Sequence, residues 1–227
     1  MIDERHIASL HSLRLENQWP DMAKLADVEP FDWALGNQWS GRELICDVIR
    51  FSQAKIFVEV GAFMCGSTRL WLENCPGTLI ICVDPWPASH AAYMRKVAAD
   101  RKPWGATPEQ LHKWANDIDA HGCKAIALNN IRNHHLRVIP VQRSVPEAYH
   151  YLAKMKVEPD IIYIDAMKRR EEFTGAHEAF PNAIICGDDY TWADADGKCP
   201  VPGFVDEVAR ARNARVLSSL QSWVILP

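Results

Sequence analysis

Short apolar runs recur along the chain, separated by stretches whose apolar residues return at helical spacing. Runs rich in β-branched residues predict strands at 56–60, 79–83, 136–141, 160–164, 183–187, 214–218 and 223–226. Most are apolar at every position rather than at alternate ones, as strands of a parallel sheet covered on both faces must be. Helices are predicted near 67–74, 144–154, 169–180 and 202–212, with Pro202 suited to a first helical turn. Only Ser218 to Ser222 separate the last two strands, too few residues for a crossover, so these two pair antiparallel. The pattern therefore predicts a doubly wound α/β fold, with a mostly parallel seven-stranded sheet that ends in an antiparallel hairpin.

Two regions depart from that rhythm. Residues 1–39 carry Ile7, Leu10, Leu13 and Leu15 at helical spacing and then a Trp/Pro-rich stretch, which reads as an N-terminal helical cap on a domain spanning 40–227. Ser40-Gly41-Arg42-Glu43 reads as a capping box that opens a helix with Leu44, Ile45, Val48 and Ile49 on its apolar face. Residues 85–135 interrupt the alternation with His90 to Arg101, a Pro-Trp-Gly turn at 103–105 and a helix start at Thr107-Pro108-Glu109. A long insertion at this edge of a sheet is either a lid or substrate wall, or plain helical packing.

Composition narrows the partners. A chain of 227 residues suits one α/β domain, and a net charge of −4 leaves no footprint for nucleic acid. The one basic cluster, Lys168-Arg169-Arg170, is followed at once by Glu171 and Glu172. Seven cysteines form an odd set without a CxxC, and Cys82 and Cys186 fall inside strands, so reduced thiols in a reducing compartment are expected. The polar N-terminus has no signal-like apolar region and no run approaches a membrane span, so a cytoplasmic protein without a membrane partner is expected.

Candidate chemistry falls at the strand ends. Lys55 to Pro87 reads as strand, turn with Gly61 and Gly66, helix, and second strand ending in Asp84, a layout that suits a nucleoside-bearing cofactor. Phe63 stands where a dinucleotide fingerprint needs its second glycine, which disfavours a pyrophosphate and with it nicotinamide or flavin. A second set comprises Asp165 and Lys168 after the fourth strand and Asp188-Asp189 after the fifth. Carboxylates gathered there repel, since two unit charges ~4 Å apart cost about 4 kcal/mol at an effective dielectric near 20. A hard divalent cation, Mg²⁺ above all, removes that cost. Taken singly, Asp165 could instead be a helix N-cap, Lys168 a solvated first-turn lysine and Asp188-Asp189 turn residues. The last two share a side only if the strand has ended before them.

Glu59-Val60-Gly61, then Gly66-Ser67, then Val83-Asp84-Pro85-Trp86 resemble motif I and its following acid in the class I S-adenosyl-L-methionine (AdoMet) methyltransferases. GAFMCGST, the DPW after the second strand, Asp188-Asp189-Tyr190 and PGFVDEVARA resemble, over roughly 40–227, a subgroup that includes macrolide-sugar O-methyltransferases and cephalosporin hydroxylase-like proteins. Asp165, Lys168 and the Asp188-Asp189 pair are similar to the metal and base set of catechol O-methyltransferase. The resemblance implies a Rossmann-like methyltransferase fold. It implies AdoMet against Glu59, Gly61, Gly66, Ser67, Trp86, Ser144 and Asp165, with Asp84 on the ribose. Asp165, Asp188 and Asp189 would hold Mg²⁺ or another divalent cation, and Lys168, its pKa lowered by that ion, would be the general base.

The expected function is metal-dependent methyl transfer to a hydroxyl of a small-molecule acceptor, a catechol-like diol or a natural-product sugar. The alternatives are a cephalosporin hydroxylase-like oxidoreductase, for which no 2-His-1-carboxylate set is recognisable, and a catalytically silent AdoMet-binding module. A homo-oligomer is left open. Cys65 replaces the subgroup's glycine and needs negative φ or some strain. Ser144 serves equally well as a helix cap. His134-His135 read as surface or packing residues rather than zinc ligands. Trp39, Trp86, Trp104 and Trp192 border loops where they would either wall an acceptor or pack.

Overall fold

The computed structural model describes residues 4–30, 41–100, 106–194 and 196–226. Ser40, Trp39, Trp104 and the turn at 103–105, all singled out above, lie outside the described residues.

The apolar runs become seven strands: β1 (Ile56–Val60), β2 (Leu79–Val83), β3 (Val138–Val141), β4 (Ile161–Ile164), β5 (Ile184–Gly187), β6 (Arg215–Ser219) and β7 (Ser222–Leu226). They form one sheet in the order β3-β2-β1-β4-β5-β7-β6. The pairs among β1 to β5 are parallel, whereas β7 runs antiparallel to both β5 and β6. The predicted fold class is the observed one.

Helices α2 (Arg42–Ser52), α3 (Gly66–Asn74), α4 (Ser89–Ala99), α5 (Pro108–His121) and α6 (Cys123–Asn129) cover one face. There Ile45, Trp71 and Ile126 meet Phe57, Ile80, Cys82, Tyr163 and Cys186. On the other face, α1 (Glu4–Glu16), α7 (Glu147–Lys154), α8 (Arg170–Ala179) and α9 (Pro200–Ala211) bring Leu13, Leu152, Phe173 and Val205 against Val58, Ile81, Ile139, Ile162 and Ile185. Alternate strand residues thus feed two cores, which is why the strands read as unbroken apolar runs. The cysteines are all free thiols and only Cys199 is exposed. Among the described residues no helix is long and apolar enough to cross a membrane.

Several boundaries move for local reasons. Arg132–Arg137 winds into a 3₁₀ turn, so β3 begins at Val138 rather than 136. Helix α9 starts at Pro200, where a missing N–H costs nothing. The N-cap of α2 is Gly41 at φ +98°, with no side-chain cap, in place of the expected capping box. A Cβ on Gly41 would sit 1.8 Å from the Ser219 carbonyl oxygen, so only glycine lets the start of α2 abut the β6–β7 turn.

The N-terminal segment covers an edge of the sheet. The Trp19 indole and the Arg14 guanidinium donate to the Val138 carbonyl of edge strand β3, at 3.3 and 3.4 Å. Arg14 also reaches the Leu136 carbonyl at 2.9 Å, and Asn17 donates to the Tyr151 hydroxyl at 2.7 Å. An edge strand tied down in this way offers fewer free carbonyls to another chain.

Candidate active site

The carboxyl ends of β1, β2, β4 and β5 bring most of the predicted residues to one edge. Gly61, at φ +86°, packs its α-carbon on the backbone of Asp165, where a Cβ would lie 2.0 Å from the carbonyl oxygen. Gly66 opens α3 and has nothing within 4 Å of where its Cβ would be, which leaves bare backbone facing open space. Gly61 to Met64, Gly66, Ser67, Arg42 and Asp165 line a pocket of about 140 Å³.

Asp84 closes the far side of the turn. One of its oxygens accepts the Phe63 N–H at 2.9 Å and the other the Trp86 N–H at 2.6 Å. The Trp86 indole N–H donates to the Phe63 carbonyl at 2.6 Å and fixes the indole over the turn. Beyond Trp86 lies a cavity of about 470 Å³, walled by Trp19, Trp86, Gln142 and the α5–α6 junction from Ile118 to Ala125. The 85–135 insertion and the N-terminal segment therefore build this cavity. Gln142 rather than Ser144 reaches it; α7 is capped at Pro146, without a side-chain cap from Ser144.

Glu59 takes a different direction from the one expected. It shares the α3 side of the sheet with Phe57, and its carboxylate accepts from the Thr68 hydroxyl at 2.5 Å and the Trp71 indole at 3.3 Å. Burial pushes its pKa up to about 8, against the pull of those two hydrogen bonds. It holds α3 to β1 and lines neither cavity.

The acids after β4 and β5 do converge, and what joins them is arginine. Arg42 Nη2 lies 2.5 Å from Asp188 Oδ2 and 3.3 Å from Asp165 Oδ2. Its Nε donates to the Tyr163 hydroxyl at 3.3 Å. Ser222 Oγ donates to the other Asp188 oxygen at 3.3 Å, and the Trp223 indole to the Asp188 carbonyl at 2.9 Å. Strand β5 has ended at Gly187, and Asp189, at φ +63°, turns its carboxylate to Lys168, whose Nζ is 2.6 Å away. The same ammonium is 4.0 Å from Asp165. Asp165 is not a helix cap, since α8 is capped at Arg169.

Charge follows this geometry. Burial raises the Asp165 pKa, and Asp188 and Asp189 push it further against the pull of Arg42 and Lys168. Burial acts to lower the Arg42 pKa, but Tyr163, Asp188 and Asp165 outweigh it and the shift is upward. Lys168 behaves likewise: Asp165 and Asp189 overcome its burial and raise its pKa. The sequence reading had a bound divalent ion lower the Lys168 pKa; between the two carboxylates alone it is held as a cation.

A divalent ion on Asp165, Asp188 and Asp189 does not fit the donors as they stand. Arg42 occupies the position shared by Asp165 and Asp188, and Lys168 occupies Asp189. Among the described residues no three His, Cys, Asp or Glu side chains are grouped to hold a metal. Arg42, Tyr163 and Ser222 are the residues the sequence reading missed. Their signal was indirect: three acids at one edge call for positive charge, which basic residues of the chain can supply.

Non-glycine residues with left-handed backbones gather at this edge: Phe63 (φ +46°), Cys65 (+60°), Trp86 (+42°), Lys168 (+59°) and Asp189 (+63°). Cys65 thus takes the strained alternative. Each such residue costs roughly 1–3 kcal/mol and persists where the surroundings over-determine it, often at functional sites.

No family model and no curated protein matches the sequence. Among solved structures, a proposed caffeoyl-CoA O-methyltransferase from Staphylococcus aureus superposes with a TM-score of 0.51 at 12% identity, over 97% of this chain and 100% of that one. The chain shares its fold. An O-methyltransferase from Bacillus cereus in complex with SAH gives 0.49 at 17% identity, over 99% and 91%. The O-methyltransferase TomG from Streptomyces achromogenes, involved in tomaymycin synthesis and in complex with SAM, gives 0.49 at 17%, over 99% and 97%.

Proposed function

We propose that this protein binds AdoMet across the Gly61–Ser67 turn and transfers its methyl group to a hydroxyl of a small acceptor. The observation that carries this reading is Asp84 at the tip of β2, whose carboxylate is hydrogen-bonded to Phe63 in the lining of one cavity and to Trp86 in the lining of the other. The larger has the size and aromatic wall for a purine, and the smaller, between the bare backbone of Gly66 and Asp165, suits the amino-acid end. An ionised carboxylate offers about four lone-pair positions, so Asp84 keeps acceptors for ribose hydroxyls while holding two N–H groups. The residues present fit the molecule.

When bound, AdoMet supplies an electrophilic sulfonium methyl group. The chain's part is to place the acceptor oxygen in line with it and to manage one proton. Asp165 lines the smaller pocket and neighbours Lys168, which puts the acceptor beside both. Trp192, 39% exposed with Lys168 5.5 Å from its ring centroid, offers a wall for a sugar or aromatic ring. With AdoMet and acceptor bound, Lys168 would stabilise the acceptor oxygen and a flanking carboxylate would take the hydroxyl proton. Lys168 is the catalytic residue in this reading.

Calorimetric titration with AdoMet and S-adenosylhomocysteine tests the proposal. Both should bind the wild type, and Asp84→Ala should weaken both at least tenfold (about 1.4 kcal/mol) while leaving a folded protein. Wild-type protein that takes up neither molecule sinks the reading.

A further inference from the structure

Arg42 comes from the first turn of α2, far in sequence from the acids it meets, yet among the described residues three contacts hold its guanidinium. Two are carboxylates on neighbouring strand ends, Asp165 and Asp188, and the third is the Tyr163 hydroxyl on β4. The arginine side chain is only 13% exposed and Asp188 7%. Around them, Gly41 seats the start of α2 on the β6–β7 turn, while Ser222 beyond that turn holds Asp188. The arrangement is built from both sides, by the helix and by the hairpin.

We infer that Arg42 is the resident cation of this acid cluster: its guanidinium fills the place where Asp165 and Asp188 would otherwise share a divalent ion, so the site operates with a cation built into the chain. The electrostatic requirement is the one that makes a metal attractive, namely positive charge between two neighbouring carboxylates, one buried and one partly buried, that would otherwise repel. A guanidinium meets it with directional N–H donors and without open coordination positions. A divalent ion could enter only by displacing the Arg42 guanidinium from Asp165, Asp188 and the Tyr163 hydroxyl, which would give up these charge-assisted contacts. For the proposed methyl transfer, on which this part of the inference rests, orientation and charge then come from Arg42 and Lys168. Arg42 positions Asp165 and Asp188 and also lines the smaller pocket.

The test reads metal directly. Mn²⁺ titrations followed by electron paramagnetic resonance should show no binding to the wild type up to millimolar concentrations, and EDTA should leave its melting temperature unchanged. Arg42→Ala should gain Mn²⁺ affinity at least tenfold, with a melting temperature that Mg²⁺ and Mn²⁺ raise, and Arg42→Ala/Asp188→Asn should lose that gain. Arg42→Lys should stay blind to metal. Wild-type protein that binds Mn²⁺ at micromolar concentrations, with Asp188→Asn abolishing it, overturns the inference. That measurement decides the question even if Arg42→Ala fails to fold. The outcome is separate from the calorimetry above: a protein that ignores AdoMet can still show or lack a metal-blind acid cluster.

Discussion

Glu59 shows how far one residue can be read and where the reading stops. An acid at the end of β1, just before a glycine turn, was legible in the sequence, but its direction was set by register. It pairs with Cys82 and Tyr163 on the α3 side of the sheet. Sharing a face with Phe57, while Val58 and Val60 faced the other core, was the available clue. With a pKa raised from 4.5 to about 8, native Glu59 keeps its proton in a window where the unfolded chain has released it. The contribution to stability is complete below about 4.5 and is lost as pH rises through about 8, a change on the order of a few kcal/mol. Glu59→Gln keeps a neutral acceptor for Trp71 and removes the titration. Its stability advantage over wild type in urea melts should therefore grow from about pH 5 to about pH 8.5. A difference that stays constant across that window would show Glu59 to be ionised in the fold.

Among the elements, strands were legible almost to the residue because burial on both faces leaves unbroken apolar runs. Starts of elements were less so, since they depend on what they touch. The 3₁₀ turn before β3 and the Gly41 start of α2 are tertiary outcomes that no local pattern announces. The acid cluster divides in the same way. Asp165, Lys168, Asp188 and Asp189 could be placed because strand ends share an edge. Arg42 could not, because α2 is brought to that edge by tertiary contacts, the one with the hairpin turn among them. Gly41→Ala tests this link: its Cβ would meet the Ser219 carbonyl at 1.8 Å in a left-handed backbone. The start of α2 must then lift away and draw Arg42 from Asp188, with a loss of about 2 kcal/mol or more in urea melts. Alanine at exposed Glu43, two residues on, should cost less than about 0.5 kcal/mol, and equal losses at both positions would deny the hairpin contact its role.

Across the whole molecule, the larger cavity is assembled from chain segments that have no sequence relation to one another. Residues 18–20 reach it from the N-terminal segment, 118–125 from the insertion, and Trp86 and Gln142 from the ends of β2 and β3. Its walls depend on the N-terminal segment staying docked through Trp19 and Arg14 on the Val138 carbonyl. A purine seated there would couple all these segments, whereas a ligand confined to the smaller pocket would touch only the glycine turn, Arg42 and Asp165. Hydrogen exchange separates the two cases, because binding slows exchange where local opening would break the site. Saturation with S-adenosylhomocysteine should protect amides around 18–20 and 118–125 as well as 61–67, with several-fold slower exchange in all three. Asp84→Ala at the same ligand concentration should lose the protection in all three together, since the carboxylate joins the two cavities through its Phe63 and Trp86 hydrogen bonds. Protection limited to 61–67 would place the purine elsewhere and leave the insertion as packing.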